Sequence, residues 1–447
     1  MARITIYKND EIITPDFGFN IFSTNSNIQT NIWHELKKFN SFKSIDSIYE
    51  DLFVISLAVI ACDKRFFRGD STDAWTRIFD VFIPVLNIEL FEKNKKLLNK
   101  MLSFLTGDKW NICFYETKYR FFQKKVSRHN GIDFNYDFVS LFSGGLDSFC
   151  GAIGFFENKK NGLFIGNKEN RLMDKSQKEI FEGISNQYTD NKSKFFSFNV
   201  DIHKVLYAGE KIESEEKTTR SRSFMFICSA LLFSNVSGRT DLPIYVPENG
   251  FIGLNLPLTP SRRGSCSTRT THPYYFMLFN QLLRELGLKN TIINPFKYFT
   301  KKEIVNSVEN SKAFKDNYHK TLSCSHPNAQ RWFGKSSINE NCGKCYPCLI
   351  RQSSLCHLVD FESMERNNIN NLFSLNAKGM DNLYAVLNAV YQYKNSTKEE
   401  IKNKIISTGY LNREEVDEYL RVYIETMKDL IKLFKNEDLK KYIGEKR

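Results

Sequence analysis

Residues 138–148 read Phe138-Val139-Ser140-Leu141-Phe142-Ser143-Gly144-Gly145-Leu146-Asp147-Ser148, an apolar run that passes directly into a turn with two adjacent glycines. The pattern specifies a buried strand, a Gly-rich turn and the start of a helix. Unpaired backbone N–H groups are then left at the helix N-terminus, pointing at whatever lies above the strand end. Such a turn is an anion cradle. Gly144 and Gly145 admit an anion close to the backbone because no Cβ stands in the way, and Ser143 and Ser148 add hydroxyl donors. The plainer reading of the same residues is a tight turn capped by Asp147 or Ser148. A Walker-type loop is excluded: Gly334-Lys335-Ser336 resembles its tail, but Ala329 occupies the leading glycine position, and no Gly-x-Gly-x-x-Gly string occurs.

At 447 residues and 41% apolar content, the chain is long enough for two or three cored domains. Its longest apolar run, Leu52 to Cys62, is too short to span a bilayer, and Met1-Ala2-Arg3-Ile4-Thr5 lacks the apolar core of a signal peptide, so a cytoplasmic protein without membrane contact is expected. Ten cysteines in that setting point to metal binding or reactive thiols and not to a disulfide framework. The formal charge of +12 is spread along a Lys-rich chain with no arginine stripe or basic tail, which argues against nucleic acid as a direct partner.

Three regions separate by texture. Residues 1–130 read as an α+β domain of unknown role, with strands near Ile4–Tyr7, Val81–Val85 and Trp110–Tyr115 and helices near Ile45–Cys62 and Phe91–Leu105. Residues 137–360 alternate strand and helix: a helix to about Glu157, strands at Gly162–Ile165, Phe195–Val200 and Pro243–Val246, and helices near Lys175–Gln187 and Ser221–Phe233. That alternation predicts βαβ units, a parallel sheet, and a ligand crevice at the carboxyl ends of the strands. Residues 361–447 read as a helical extension. In it Ser396-Thr397-Lys398-Glu399 fits a capping box, and Val416, Leu420, Ile424, Met427, Ile431 and Phe434 form one apolar face.

Cys342-Gly343-Lys344-Cys345-Tyr346-Pro347-Cys348 holds two overlapping Cys-x-x-Cys steps, and Cys324 lies upstream. Four thiolates make a closed tetrahedral zinc shell, which is structural because no position is left for water. The alternatives are an iron–sulfur cluster, whose usual spacing Cys356 does not match, and unliganded thiols. His326 or Cys356 could replace Cys324 as fourth ligand.

Other polar clusters suit ligand contacts. Arg220 and Arg222 sit near a helix N-terminus, where they fit phosphate or carboxylate, or simply solvent. Glu248, Asn249 and Asn255 follow a strand in a Gly-rich loop, and Thr268, Arg269 and His272 precede a helix that Pro273 could start; both stretches are expected to touch substrate, with capping and turn formation as the alternative. Thr300-Lys301-Lys302-Glu303-Ile304 makes a capping box whatever its function, and Lys301 or Lys302 could reach a phosphate.

The Ser-Gly-Gly-x-Asp-Ser string at 143–148 resembles the pyrophosphate (PP) loop of the ATP-pyrophosphatases. With the Thr-Lys-x-Glu-Ile segment and the four-cysteine knuckle in this order, residues 137–360 look like the 7-cyano-7-deazaguanine synthase family. The resemblance implies an α/β, parallel-sheet, Rossmann-like HUP core that binds ATP with Mg²⁺, adenylates a deazapurine carboxylate and releases pyrophosphate. By the same resemblance Ser143, Gly144, Gly145, Leu146, Asp147 and Ser148 hold the pyrophosphate, Ser143, Asp147, Ser148 and Lys301 support catalysis, and Cys324, Cys342, Cys345 and Cys348 ligate Zn²⁺. Two departures stand out: about 130 extra residues in front, and Gly166-Asn167-Lys168 where compact members carry Tyr-Gly-Gln. This long form, with its Pro247-Glu248-Asn249-Gly250 segment, is similar to the synthase-like component of the bacterial Qat anti-phage defence system. That implies other Qat proteins as partners, one of them a candidate amine acceptor, and allows a homodimer. Ammonia as acceptor, and a non-catalytic nucleotide or deazapurine sensor, are the alternatives.

Overall fold

A computed structural model describes residues 3–8, 17–21, 26–39, 45–120, 135–203, 206–207, 210–211, 215–216, 220–258, 269–325, 341–365, 367–374 and 379–444. In the N-terminal region β1 (Arg3–Tyr7), β2 (Phe17–Asn20), β3 (Ile78–Val85) and β4 (Lys109–Glu116) form a sheet in the order β2-β1-β3-β4, parallel at every pairing. Helix α1 (Ser47–Arg65) precedes β3, and α2 (Ile88–Thr106) crosses from β3 to β4. Asp46 caps α1 through the Ile48 N–H, and Gly107, at φ 76°, ends α2 in the left-handed conformation that glycine accepts without strain.

The second sheet holds β5 (Phe138–Leu141), β6 (Gly162–Asn167), β7 (Lys194–Phe198), β8 (Ile244–Tyr245) and β9 (Ile292–Ile293) in the order β9-β8-β5-β6-β7, again all parallel. Its connections carry α3 (Leu146–Glu157), α4 (Arg171–Ser185), α5 (Arg222–Val236), the short α6 (Gly250–Leu254) and α7 (Pro273–Glu285). Strand residues alternate between two apolar layers, as the period-two side-chain direction requires. Val139, Leu163, Ile165 and Ile244 face a core shared with α5, α7 and the N-terminal α1 and α2, whereas Phe138, Phe164 and Tyr245 face one shared with α3, α4 and the C-terminal helices. The N-terminal sheet and the second sheet therefore share one hydrophobic core. A strand pair adds to this join: Ile28–Thr30 runs antiparallel to Val200–Ile202. The strand expected over Phe195–Val200 is thus two strands, the second recruited by the N-terminal region.

Beyond β9 come α8 (Lys301–Asn306), α9 (Tyr346–Leu355), α10 (Asp381–Lys394), α11 (Lys398–Ile406) and α12 (Arg413–Leu433). The capping box of α11 uses Thr397 and Glu400, one residue later than the spacing suggests, because Thr397 is the residue with extended backbone. The apolar face of α12 is buried on its own domain at Val416, Leu420 and Met427, with Ile424 and Ile431 half-buried. No helix among the described residues is long and apolar enough to cross a membrane.

Candidate active site

β6 and β7 lie on one side of β5, and β8 and β9 on the other, so the sheet order reverses beside the strand that carries the glycine turn. At such a switch point a crevice opens at the carboxyl ends of the strands. Gly144 takes φ 80°, and a Cβ there would stand 3.0 Å from Gln177 Cγ, so both backbone and space call for glycine. Gly145 is the N-cap of α3. The Ser143 hydroxyl accepts from the Gly145 N–H at 3.2 Å and lies 3.1 Å from Ser148 Oγ. The Leu146 N–H donates to Ser323 Oγ at 3.2 Å, and the Leu322 N–H donates to the Gly144 carbonyl at 2.9 Å.

Asp147 turns inward. Lys301 Nζ, from the first turn of α8, lies 2.6 Å from its Oδ1, while Asn249 donates to its Oδ2 from Nδ2 at 2.7 Å and from the backbone at 3.1 Å. Burial opposes charge on Asp147, but Lys301 and these donors hold its carboxyl below the usual range. Glu248 shows the opposite effect: burial, then the Asp147 charge beside it, pushes its carboxyl well above the usual range. Of the two candidate lysines, Lys301 is the one at the loop; Lys302 reaches Asp429 of α12 at 3.5 Å.

A cavity of about 150 Å³ opens beside the loop, lined among others by Ser143, Ser148, Gln177, Arg222, Glu248 and Thr271. It shares Asn167, Glu169 and Arg222 with a neighbouring cavity of about 410 Å³ that reaches Lys64 of α1. Glu169 and Arg222 form an ion pair on that shared wall. Two residues on the lining, Gln177 and Thr271, have side-chain oxygens that are buried with no hydrogen-bond partner among the described residues. Asn167 belongs to the Gly166-Asn167-Lys168 departure, whereas Glu169 and Gln177 carry no motif; they are brought in by the end of β6 and by one face of α4.

Several expected contacts lie elsewhere. Arg220 is buried against the N-terminal region: its N–H donates to Asp63, its guanidinium donates to the Thr106 carbonyl and lies 5.5 Å from the Trp75 ring centre. Arg269 lies over Phe104 of α2, with its guanidinium 4.4 Å from the ring centre and donating to the Phe104 carbonyl. His272 is sealed from solvent as the N-cap of α7: Nδ1 accepts from the Tyr274 N–H at 3.1 Å, and Nε2 lies 3.0 Å from Thr408 Oγ1. Burial, then Arg269, pushes its pKa down to about 3, so it is a neutral wedge between α2 and the C-terminal helices. Asn249 is also fully buried; its Oδ1 caps α6 through the Ile252 N–H while its Nδ2 serves Asp147 and Glu248. Asn255 closes α6 at φ 47°. For Arg220, Arg269 and His272, packing in the fold takes up the polar group. Thr268 and His326 lie outside the described residues.

The cysteines converge. The Sγ atoms of Cys324, Cys342, Cys345 and Cys348 all lie within 4.8 Å of one another, a set that could hold a metal ion. Mutual hydrogen bonds among the four sulfurs push the Cys342 and Cys345 thiols below the usual range and those of Cys324 and Cys348 above it. Backbone N–H groups also point at sulfur, Cys342 to Cys324 and Cys345 to Cys342, both at 3.4 Å. Four convergent sulfurs of this kind fit tetrahedral zinc. Gly343 takes φ 77°, and a Cβ on it would stand 1.8 Å from the Asn367 carbonyl oxygen. Cys356 is not part of the group; its thiol donates to the Ser353 carbonyl.

A family model described as Queuosine biosynthesis protein QueC matches residues 271–359. No curated protein and no solved structure matches the chain. The glycine turn lies before the matched stretch but is bonded to it through Lys301, Leu322 and Ser323. The region from α7 to the end of α9, which supplies Lys301 and the cysteine cluster, is thus a QueC-like segment.

Proposed function

We propose that the protein uses ATP to adenylate a 7-deazaguanine-type carboxylate and then joins the acyl group to an amine. The observation that carries this reading is the joining of a PP-loop-like turn at the switch point to a QueC-like segment by the Asp147–Lys301 pair. A carboxylate is a poor electrophile, and adenylation supplies a leaving group. The carboxylate oxygen attacks the α-phosphorus, the Pα–O–Pβ bond breaks, and pyrophosphate departs with the electron pair. The N-terminus of α3 and the hydroxyls of Ser143 and Ser148 meet the charge that grows on it, and Lys301 adds a cation behind the loop. The amine nitrogen then attacks the acyl carbon, AMP leaves, and the amine gives up a proton. Mg²⁺ enters with the phosphates of ATP, and Glu169 and Glu248 are the carboxylates that line the cavity.

For the acceptor we favour an amine of a partner protein in a Qat-type anti-phage system, in the cytoplasm. The long N-terminal region, fused to the core beside the crevice, and Gly166-Asn167-Lys168 support an acceptor other than ammonia. The QueC match favours a second reading, nitrile formation from ammonia. One assay separates them. Protein, ATP, Mg²⁺ and 7-carboxy-7-deazaguanine are incubated with ammonia or with co-expressed partners; AMP with a new protein mass supports conjugation, AMP with a nitrile supports the second reading. ADP with orthophosphate, or intact ATP under every condition, refutes both.

A further inference from the structure

Two hydroxyls converge on one side of the loop. A Cβ built on Gly145 would lie 3.3 Å from Ser143 Oγ and 3.7 Å from Ser323 Oγ, so the two oxygens flank the same face of the α3 N-terminus, with Ser148 Oγ 3.1 Å from Ser143 Oγ. Ser323, the residue before Cys324, lies 177 residues beyond Leu146 in the sequence. Its oxygen accepts the Leu146 N–H, and among the described residues its own O–H proton is donated to no group. The adjoining cavity, lined by Ser143 and Ser148, is also lined by Gln177, 1% exposed, and Thr271, 5% exposed, each of which has a buried side-chain oxygen with no hydrogen-bond partner among the described residues. Dry cavities that stay empty are apolar, whereas Ser143, Ser148, Glu169, Arg222 and Glu248 give this one a polar lining.

The backbone that presents Ser323 is pinned on both sides. Upstream, Leu322 bonds the Gly144 carbonyl. Ser323 itself donates its N–H to Asn341 Oδ1 at 2.9 Å, and downstream Cys324 enters the cysteine cluster and accepts the Cys342 N–H. We propose that Ser323 is a phosphate-binding residue whose hydroxyl donates to the anion seated on the loop, and that the cysteine cluster is the brace that holds it there. This rests on the proposed function only in that the loop receives pyrophosphate. It gives the cluster a role in ligand binding beyond stabilising the fold.

The test measures binding of inorganic pyrophosphate with Mg²⁺ to the full chain by calorimetry, so that it does not depend on turnover. Metal content and thermal midpoint are recorded for each variant. A hydrogen bond to a charged group predicts that Ser323→Ala weakens binding about ten- to hundredfold with metal content unchanged, and that Ser323→Thr, which keeps the hydroxyl, stays within about threefold. Stripping the metal should weaken binding in the unmodified chain and add little in Ser323→Ala. Equal binding by Ser323→Ala overturns the inference, as does a loss that Ser323→Thr fails to rescue or that accompanies loss of metal. Absence of pyrophosphate binding by the unmodified chain overturns the loop assignment as well.

Discussion

Lys301 Nζ and Asp147 Oδ1, 154 residues apart in sequence, lie 2.6 Å apart with both side chains no more than 6% exposed. Removing one partner of a buried pair leaves an uncompensated charge, which costs roughly 3–5 kcal/mol. Lys301→Met should therefore lower stability by about that amount and abolish AMP formation. The double variant Lys301→Met/Asp147→Leu should recover much of the stability and none of the activity. Denaturant midpoints set beside AMP release check both parts; recovered activity in the double variant would refute a role for Lys301 at the phosphates.

His272 predicts an acid-sensitive fold. Its pKa falls from the ordinary 6.5 to about 3 on folding because the ring is buried, with Arg269 adding to the effect. Below pH 6.5 the unfolded chain binds a proton that the folded chain does not, so stability falls as pH falls from 6.5 toward 3. The loss is about 2 kcal/mol by pH 5. Unfolding free energies measured from pH 7 to 5 should show this slope, and His272→Asn, which keeps a capping side chain, should flatten it.

The cysteine cluster should bind one zinc per chain. Cys342→Ser or Cys348→Ser should abolish that stoichiometry and lower the thermal midpoint, because metal binding adds directly to folding free energy. Gly343→Ala should do nearly as much without touching a ligand, since its Cβ would meet the Asn367 carbonyl at 1.8 Å in a left-handed conformation. Metal analysis of the purified variants decides it.

Asp63 of α1 accepts the N–H groups of Arg220 and Ser221 and the Ser221 hydroxyl on one oxygen, and Arg77 on the other. It thereby clamps the N-terminus of α5, where Arg222 lines both cavities. Asp63→Ala should destabilise by roughly 3–5 kcal/mol, since it leaves Arg77 underpaired and two N–H groups buried. At temperatures where the variant is folded, KM for ATP should rise more than kcat falls. An unchanged KM would separate the N-terminal region from the crevice.

Features carried by contiguous residues were legible. The turn at Ser143–Ser148 and the Cys342–Cys348 steps are held by short covalent spacing, which limits them to one local geometry whatever surrounds them. Arg220, Arg269 and His272 bond to the packing around them and Asn249 to Asp147, because a polar residue beside a helix start serves equally as a cap, a domain tie or a ligand contact. Arg269 and His272 meet Phe104, and Arg220 meets Asp63, only because α2 and α1 pack against the second sheet. Ser323 and Gln177 show the converse: no local pattern marks them, and only the approach of distant backbone makes them neighbours of the loop.

Strand-helix alternation, a parallel sheet, the glycine turn and the metal-type thiols could be read from residue order, since each depends on periodicity or on separations of a few residues. The choice of Lys301 over Lys302, the inward turn of Asp147, and the placing of Ser323 beside Gly145 belong to the folded chain. They depend on the strand order β9-β8-β5-β6-β7 and on a core shared by both sheets. Burial decides them, because once water is excluded each polar group must bond to whatever packing brings within about 3 Å.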